Sequence, residues 1–188
     1  CGGAYNRLVK LSQVHDAAWA QVEHVYQRRA DLVPNLVETV KGAAGFEQST
    51  LTQVTEARAS LGRVQISGKD LLNNPQAFAE WQKAQDGLAS SLSRLLVSVE
   101  RYPELKATQN FRDLQAQLEG SENRIAVERM RFNEAALAYN TARLSFPTSL
   151  LAGLFHFGEK AYFKAQAGSD VAPKVDFNFG KTTPARPE

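Results

Sequence analysis

Apolar residues recur at alternating intervals of three and four along most of the chain, the pattern that lines one side of a helix packed at a shallow angle on a neighbour. The longest run reads Phe111, Leu114, Leu118, Ser121, Ile125, Glu128, Phe132, Ala135, Tyr139, Ala142 and Phe146, with only Ser121 and Glu128 polar. It predicts one long helix ending near Phe146. Before it, Phe78, Trp81, Gln85, Leu88, Leu92, Leu95, Val99 and Tyr102 form a second run, with Pro75 suited to a helix start and Pro103 closing it. The N-terminal run is Ala4, Leu8, Leu11, His15, Ala18, Val22, Val25, Arg29, Leu32, Leu36, Thr39 and Ala43. Pro34 inside it lacks an N–H and should bend the helix near residue 30. Gly42 and Gly45 offer a turn, after which Leu51, Val54, Arg58 and Leu61 carry a shorter helix to about Ile66. Ser67, Gly68 and Asn73-Asn74-Pro75 then mark a loop.

Four helices joined by short connections predict an all-α, antiparallel up-and-down four-helix bundle over residues 5–146, with long first and last helices. At about 1.5 Å per residue the long pair spans on the order of 60 Å. The second helix descends only part-way, so the end carrying the N-terminus holds two helices whose apolar seams need another cover. The Phe-rich C-terminal tail is the candidate: Phe146, Leu150, Leu151, Leu154, Phe155, Phe157, Tyr162 and Phe163 are many large groups to leave in water. Residues 147–180 are expected to pack mostly back onto that end, with Lys181 to Glu188 frayed.

The polar exceptions on the seams coincide in height. Arg29, Arg58, Gln85 and Glu122 fall near one level once the hairpins are folded, and a buried arginine needs a carboxylate, so Glu122 is expected to meet Arg29 or Arg58. Such a layer either receives a ligand or partner or, more simply, fixes the register of helices that would otherwise slip. Arg28, Asp31, Pro34 and Asn35 form a second candidate cluster, a contact surface or a brace for the bent segment.

Composition narrows the picture. The 188 residues are 43% hydrophobic, enough for a core without disulfides, and 22 basic against 20 acidic side chains leave a formal charge of +2 scattered along the chain. No basic run points to nucleic acid, and no apolar stretch approaches the ~20 residues of a membrane-spanning helix. The single cysteine is Cys1, followed by Gly2 and Gly3. A chain beginning at cysteine and continuing through small residues reads as a processed bacterial lipoprotein, lipid-anchored through residues 1–4 and lying outside the cytoplasm.

Several ordered motifs carry a resemblance: Tyr5-Asn6, Trp19, Arg28-Arg29-Ala30-Asp31-Leu32-Val33-Pro34-Asn35-Leu36-Val37, and Val40-Lys41-Gly42 followed by Glu47 and Ala57-Arg58. Further along stand Tyr102-Pro103-Glu104-Leu105-Lys106, Glu122-Asn123-Arg124-Ile125-Ala126, Arg131-Phe132-Asn133, Tyr139-Asn140 and Phe146-Pro147. Together they resemble the LemA family. The resemblance implies helical bundles of membrane-associated bacterial proteins, inferred to act in scaffolding or interaction and without a described catalytic residue. Members commonly begin with an uncleaved transmembrane helix and face the cytoplasm, whereas an acylated Cys1 would turn this bundle to the periplasm. Gly2 rather than Asp after the cysteine favours the outer membrane in a Gram-negative cell.

The search for chemistry is negative at this level. His15, His24 and His156 have no glutamate three residues before them, so the Glu-x-x-His pairs of a carboxylate-bridged metal site are missing and neither metal nor cofactor is expected. An alkylated Cys1 is no nucleophile, and no serine elbow or phosphate-binding glycine loop occurs. Two function classes remain. One is an envelope interaction or assembly protein that binds other envelope proteins or itself. The other is a carrier of a small apolar or lipid-like ligand in a pocket lined by Leu154, Phe155 and Phe163.

Overall fold

The computed structural model describes residues 2–64 and 68–164, and among them every regular element is an α-helix. In chain order they are α1 (Gly2–Lys41), α2 (Gln48–Arg63), α3 (Gly68–Asn73), α4 (Pro75–Val99), α5 (Pro103–Lys106), α6 (Gln109–Leu144) and α7 (Thr148–Leu154). The ends follow local chemistry. The Asn74 side chain accepts from the backbone N–H groups of Gln76 and Ala77 at 3.1 and 3.2 Å, with Pro75 in the first turn where its missing donor costs nothing. Between α1 and α2 the chain turns at Gly45, whose φ of 77° suits glycine, and the Tyr102 hydroxyl donates to the Gly45 carbonyl at 3.0 Å.

The long helices α1 and α6 lie side by side in opposite directions: Leu8 shares a cluster with Tyr139 and Ala142, Trp19 packs on Phe132, and Arg29 meets Glu122. On their far half, α2 packs against α4, and Val33, Leu36, Val40, Leu51, Val54, Leu88, Leu92, Leu95 and Leu118 belong to one cluster fed by four helices. Toward the N-terminus α2 ends first; the first turns of α4 still meet Phe163 and Lys164, and beyond them α7 and residues 157–162 lie against the long pair.

Three places in the chain bear on the sequence reading. First, Pro34 lies inside one helix, Gly2–Lys41, as the N-terminal seam required. Pro34 removes the donor that would reach the carbonyl of Ala30, and the Arg58 Nε donates to that carbonyl at 3.3 Å. Second, the expected loop before Pro75 contains α3, which buries Leu71 and Leu72 under Trp19 and Phe78. The signal was too short for a periodicity argument. Third, the tail residues divide: Phe163 is buried and Phe157 partly buried, but Phe146, Leu150, Leu154 and Phe155 are exposed. In their place Thr148 and Ala152 are the buried residues of α7. Cys1 and residues 165–188, which include the second part of the expected tail and the frayed end, lie outside the described residues.

Candidate functional site

The centre of the rod holds the buried arginine. Arg29 is 2% exposed, on the seam of α1 between the far cluster and an aromatic cluster nearer the N-terminus. Its two terminal nitrogens donate to Glu122 Oε1 at 3.1 Å, to Gln85 Oε1 at 2.7 Å and to the Gln85 carbonyl at 2.9 Å. The guanidinium carbon also stands 5.0 Å from the ring centre of Tyr26, a position for cation–π attraction. A planar fork with fixed donors fits this set better than a lysine would. Glu122 is half open to solvent, so water reaches the pair from one side and a register-fixing role suffices for it. Of the four residues expected in this layer the structure joins three, Arg29, Gln85 and Glu122. Arg58 stays outside, exposed on α2 and bonded to the Ala30 carbonyl.

The second cluster does not converge. Arg28 is exposed, and Asp31 accepts from Gln27 at 2.8 Å along the outer face of α1. Pro34 and Asn35 are exposed on the same helix, with the Asn35 carbonyl accepting from Thr39 Oγ1.

The strongest polar construction was not among the expected site residues. Residues 158–164 run along α6 and α4 without regular structure, and three side-chain amides hold their backbone. Asn140 donates to the Lys160 carbonyl and accepts from its N–H, both at 2.9 Å. Asn133 does the same to Phe163, at 3.2 and 2.8 Å, and Gln82 to Lys164, at 2.9 and 3.2 Å. A carboxamide offers one acceptor and a donor pair on one plane, as a neighbouring β-strand would, so it satisfies both backbone groups of one residue. Arg129 adds a bond to the Lys164 carbonyl at 2.9 Å and lies 4.7 Å from the Phe163 ring centre. Phe163 then sits among Tyr26, Phe78, Trp81 and Phe132. The signal for this strap stood in the sequence as aromatic–Asn pairs seven residues apart, Phe132-Asn133 and Tyr139-Asn140. Each places an aromatic inward and its amide one step around the helix.

His15 is buried against Phe132, ring centres 4.5 Å apart. Burial holds its pKa down to about 4 and the Lys160 cation pushes the same way, while neighbouring Asp16 opposes them. The imidazole is therefore neutral near pH 7. Burial likewise raises Tyr26 and Tyr139 above the ordinary phenol value. Leu154 and Phe155 are exposed at the N-terminal end while Phe163 is buried in the central cluster, so the three do not line one pocket.

At the opposite tip an open cleft of about 880 Å³ lies between the α1–α2 turn and the α4–α5 corner. Thr39, Gly42, Tyr102, Glu104, Leu105 and Asn110 are among its walls.

Residues 18–177 match the family model described as the LemA family. Magnetosome protein MamQ of Magnetospirillum gryphiswaldense is 26% identical over 189 residues, covering 91% of this chain and 70% of the relative. Magnetosome protein MamQ 2 of Paramagnetospirillum magneticum is also 26% identical, over 89% of this chain and 67% of its own. Protein LemA of Metamycoplasma hominis is 21% identical, over 87% and 70%.

Proposed function

The chain belongs to the LemA family, and on that premise we propose that it is a membrane-anchored protein of the bacterial cell envelope that works by protein interaction or assembly rather than by catalysis. The body is an up-and-down four-helix bundle prolonged at one end by its two long helices. A lipid on Cys1 holds it to a membrane facing the periplasm, the outer membrane in a Gram-negative cell. The far tip meets its partner, another envelope protein or a second copy.

The observation that supports this reading is the polarity of the rod. Helix α1 has 40 residues, so about 60 Å separates its first turn from the cleft lined by Gly42, Tyr102 and Glu104. Exposed apolar side chains gather at the first end, and motif residues of the family resemblance line the second. A stiff spacer that holds a cleft away from a surface serves docking.

The test is intact mass spectrometry of the protein from native membranes, combined with a photo-crosslinking amino acid at Asn110, an exposed wall of the cleft. The expected result is a diacylglyceryl Cys1 and one discrete crosslinked species of envelope protein or of the chain itself. An unmodified Cys1 in the soluble fraction, or no discrete crosslink from the tip, overturns the proposal.

A further inference from the structure

Residues 144–158 contain no Asp, Glu, Lys or Arg, and they carry the most exposed large apolar side chains among the described residues. Helix α7 packs on α6 and α1 through Thr148 and Ala152, both buried. Two of its three leucines face away, Leu150 at 68% and Leu154 at 70% exposed, with Leu151 partly buried, and Phe146, four residues before Leu150, is 82% exposed. Leu144 and Phe155 widen the same patch. A helix folding onto a core in water does the reverse, burying leucine and leaving threonine outside. The inversion means that the sequence of α7 is fitted to two apolar neighbours, one of which is not among the described residues.

The charges around the patch identify the second neighbour. Arg143 precedes the uncharged stretch and Glu159 follows it, and the exposed Arg7 and Lys10 stand on the first turns of α1, which reaches the same end through contacts of Tyr5 with Phe155 and Phe157. Glu159 is the acid nearest in sequence, and it lies 4.0 Å from Arg143. Apolar side chains without charge, an exposed tyrosine at their margin and cations beyond them make the profile of a segment lying in a bilayer interface. We infer that Phe146, Leu150, Leu154 and Phe155 form a membrane-contact patch that enters the headgroup–acyl boundary of a bilayer containing anionic lipid, with Arg7 and Lys10 meeting the phosphates. The inference rests on the membrane residence proposed above and specifies the surface that touches the lipid. It gives the rod a second point of attachment beside a lipid on Cys1, and two weak attachments together hold far better than one.

The test uses the full chain with Cys1→Ser, which removes both the acylation site and the one thiol. Leu154→Cys or, as a control in the far half, Val97→Cys then takes an environment-sensitive NBD label; Val97 is also exposed. With vesicles of phosphatidylethanolamine and phosphatidylglycerol the label at position 154 should shift to the blue and the label at 97 should not. Phe146→Ser with Leu150→Ser and Leu154→Ser should lower vesicle partitioning of the unlabelled protein by about tenfold or more. Because these side chains are exposed, the denaturation midpoint of the triple variant checks that folding is intact. A label at 154 that stays in water, a triple variant that binds like its parent, or a blue shift that needs no vesicles and follows a monomer–dimer equilibrium each overturns the inference. An acylated protein found in membranes whose triple variant behaves unchanged removes the patch and leaves the anchor. Vesicle binding by the Cys1→Ser protein, lost in the triple variant, keeps the patch even if Cys1 proves unmodified.

Discussion

The two halves of the rod cover the same pair of helices with different chemistry. In the far half, α2 and α4 close the groove of α1 and α6 with aliphatic side chains, among them Leu51, Val54, Leu88, Leu92 and Leu95. In the other half α3 and the first turns of α4 are joined by a strap of residues 158–164, with Phe163 among aromatics and three carboxamides on its backbone. The difference follows from where each cover finds its hydrogen bonds. A helix satisfies its own backbone, so its contact face needs only apolar groups. An extended strap brings unpaired N–H and C=O groups to a partly buried surface, and an unmet buried group costs about 1–3 kcal/mol. The long helix therefore has to supply paired donors and acceptors, and Asn133 and Asn140 do so.

The comparison breaks most visibly if those amides are removed. Asn133→Ala with Asn140→Ala leaves four strap backbone groups without their partners, at roughly 1–3 kcal/mol for each clamp. Chemical denaturation should show that loss, and hydrogen exchange should rise over residues 160–164 while α2 and α4 stay protected. Uniform deprotection of both halves would mean that the strap and the far core unfold as one unit, and the distinction would fall.

The same contrast explains what could be read beforehand. Helices with seams such as Leu88, Leu92, Leu95, Val99 are legible because a single repeat fixes both secondary structure and buried face. Arg29, Gln85 and Glu122 were legible as polar breaks in that repeat at matching heights. The strap was legible only as the Tyr162 and Phe163 of an apolar tail, because the seven-residue repeat of Asn133 and Asn140 marks the holding side chains on α6 without naming the segment they hold. Arg58 was misplaced for a related reason: it occupies a seam position, but its hydrogen bond answers a backbone defect made by Pro34 on another helix. The exposed face of α7 was misread because hydrophobicity marks burial against any apolar neighbour, and the sequence does not say whether that neighbour is protein.

Acid should weaken the strapped half through His15. Its pKa is near 4 in the fold and about 6.5 when the chain is unfolded. Between those values the unfolded chain binds a proton that the folded one does not, so stability falls as pH drops from about 6.5 to about 4, by on the order of 3 kcal/mol. Lys160 facing the imidazole deepens the effect, and Asp16 moderates it. Denaturation midpoints near neutral pH and near the lower limit measure the loss directly. His15→Leu should flatten this window, since the imidazole makes no hydrogen bond there that leucine would lose. A parent-like slope in the variant would assign the acid sensitivity to other groups.

The smallest effect concerns the far half, at the join between α1 and α2. Arg58 is exposed, and its bond to the Ala30 carbonyl is 3.3 Å long, so Arg58→Ala should cost less than about 1 kcal/mol and should leave the Arg29–Glu122 contact undisturbed. That cost exists only because Pro34 has no N–H to offer the same carbonyl. Pro34→Ala supplies the donor within α1 and should raise stability by itself, and in that background Arg58→Ala should cost nearly nothing. A double-mutant cycle on denaturation free energies isolates the coupling, expected at about 0.5–1 kcal/mol. A coupling of zero would show that Arg58 holds α2 to α1 by packing of its stem rather than by meeting the orphaned carbonyl. The far half would then be held by side-chain burial alone, and the contrast with the strap would be complete.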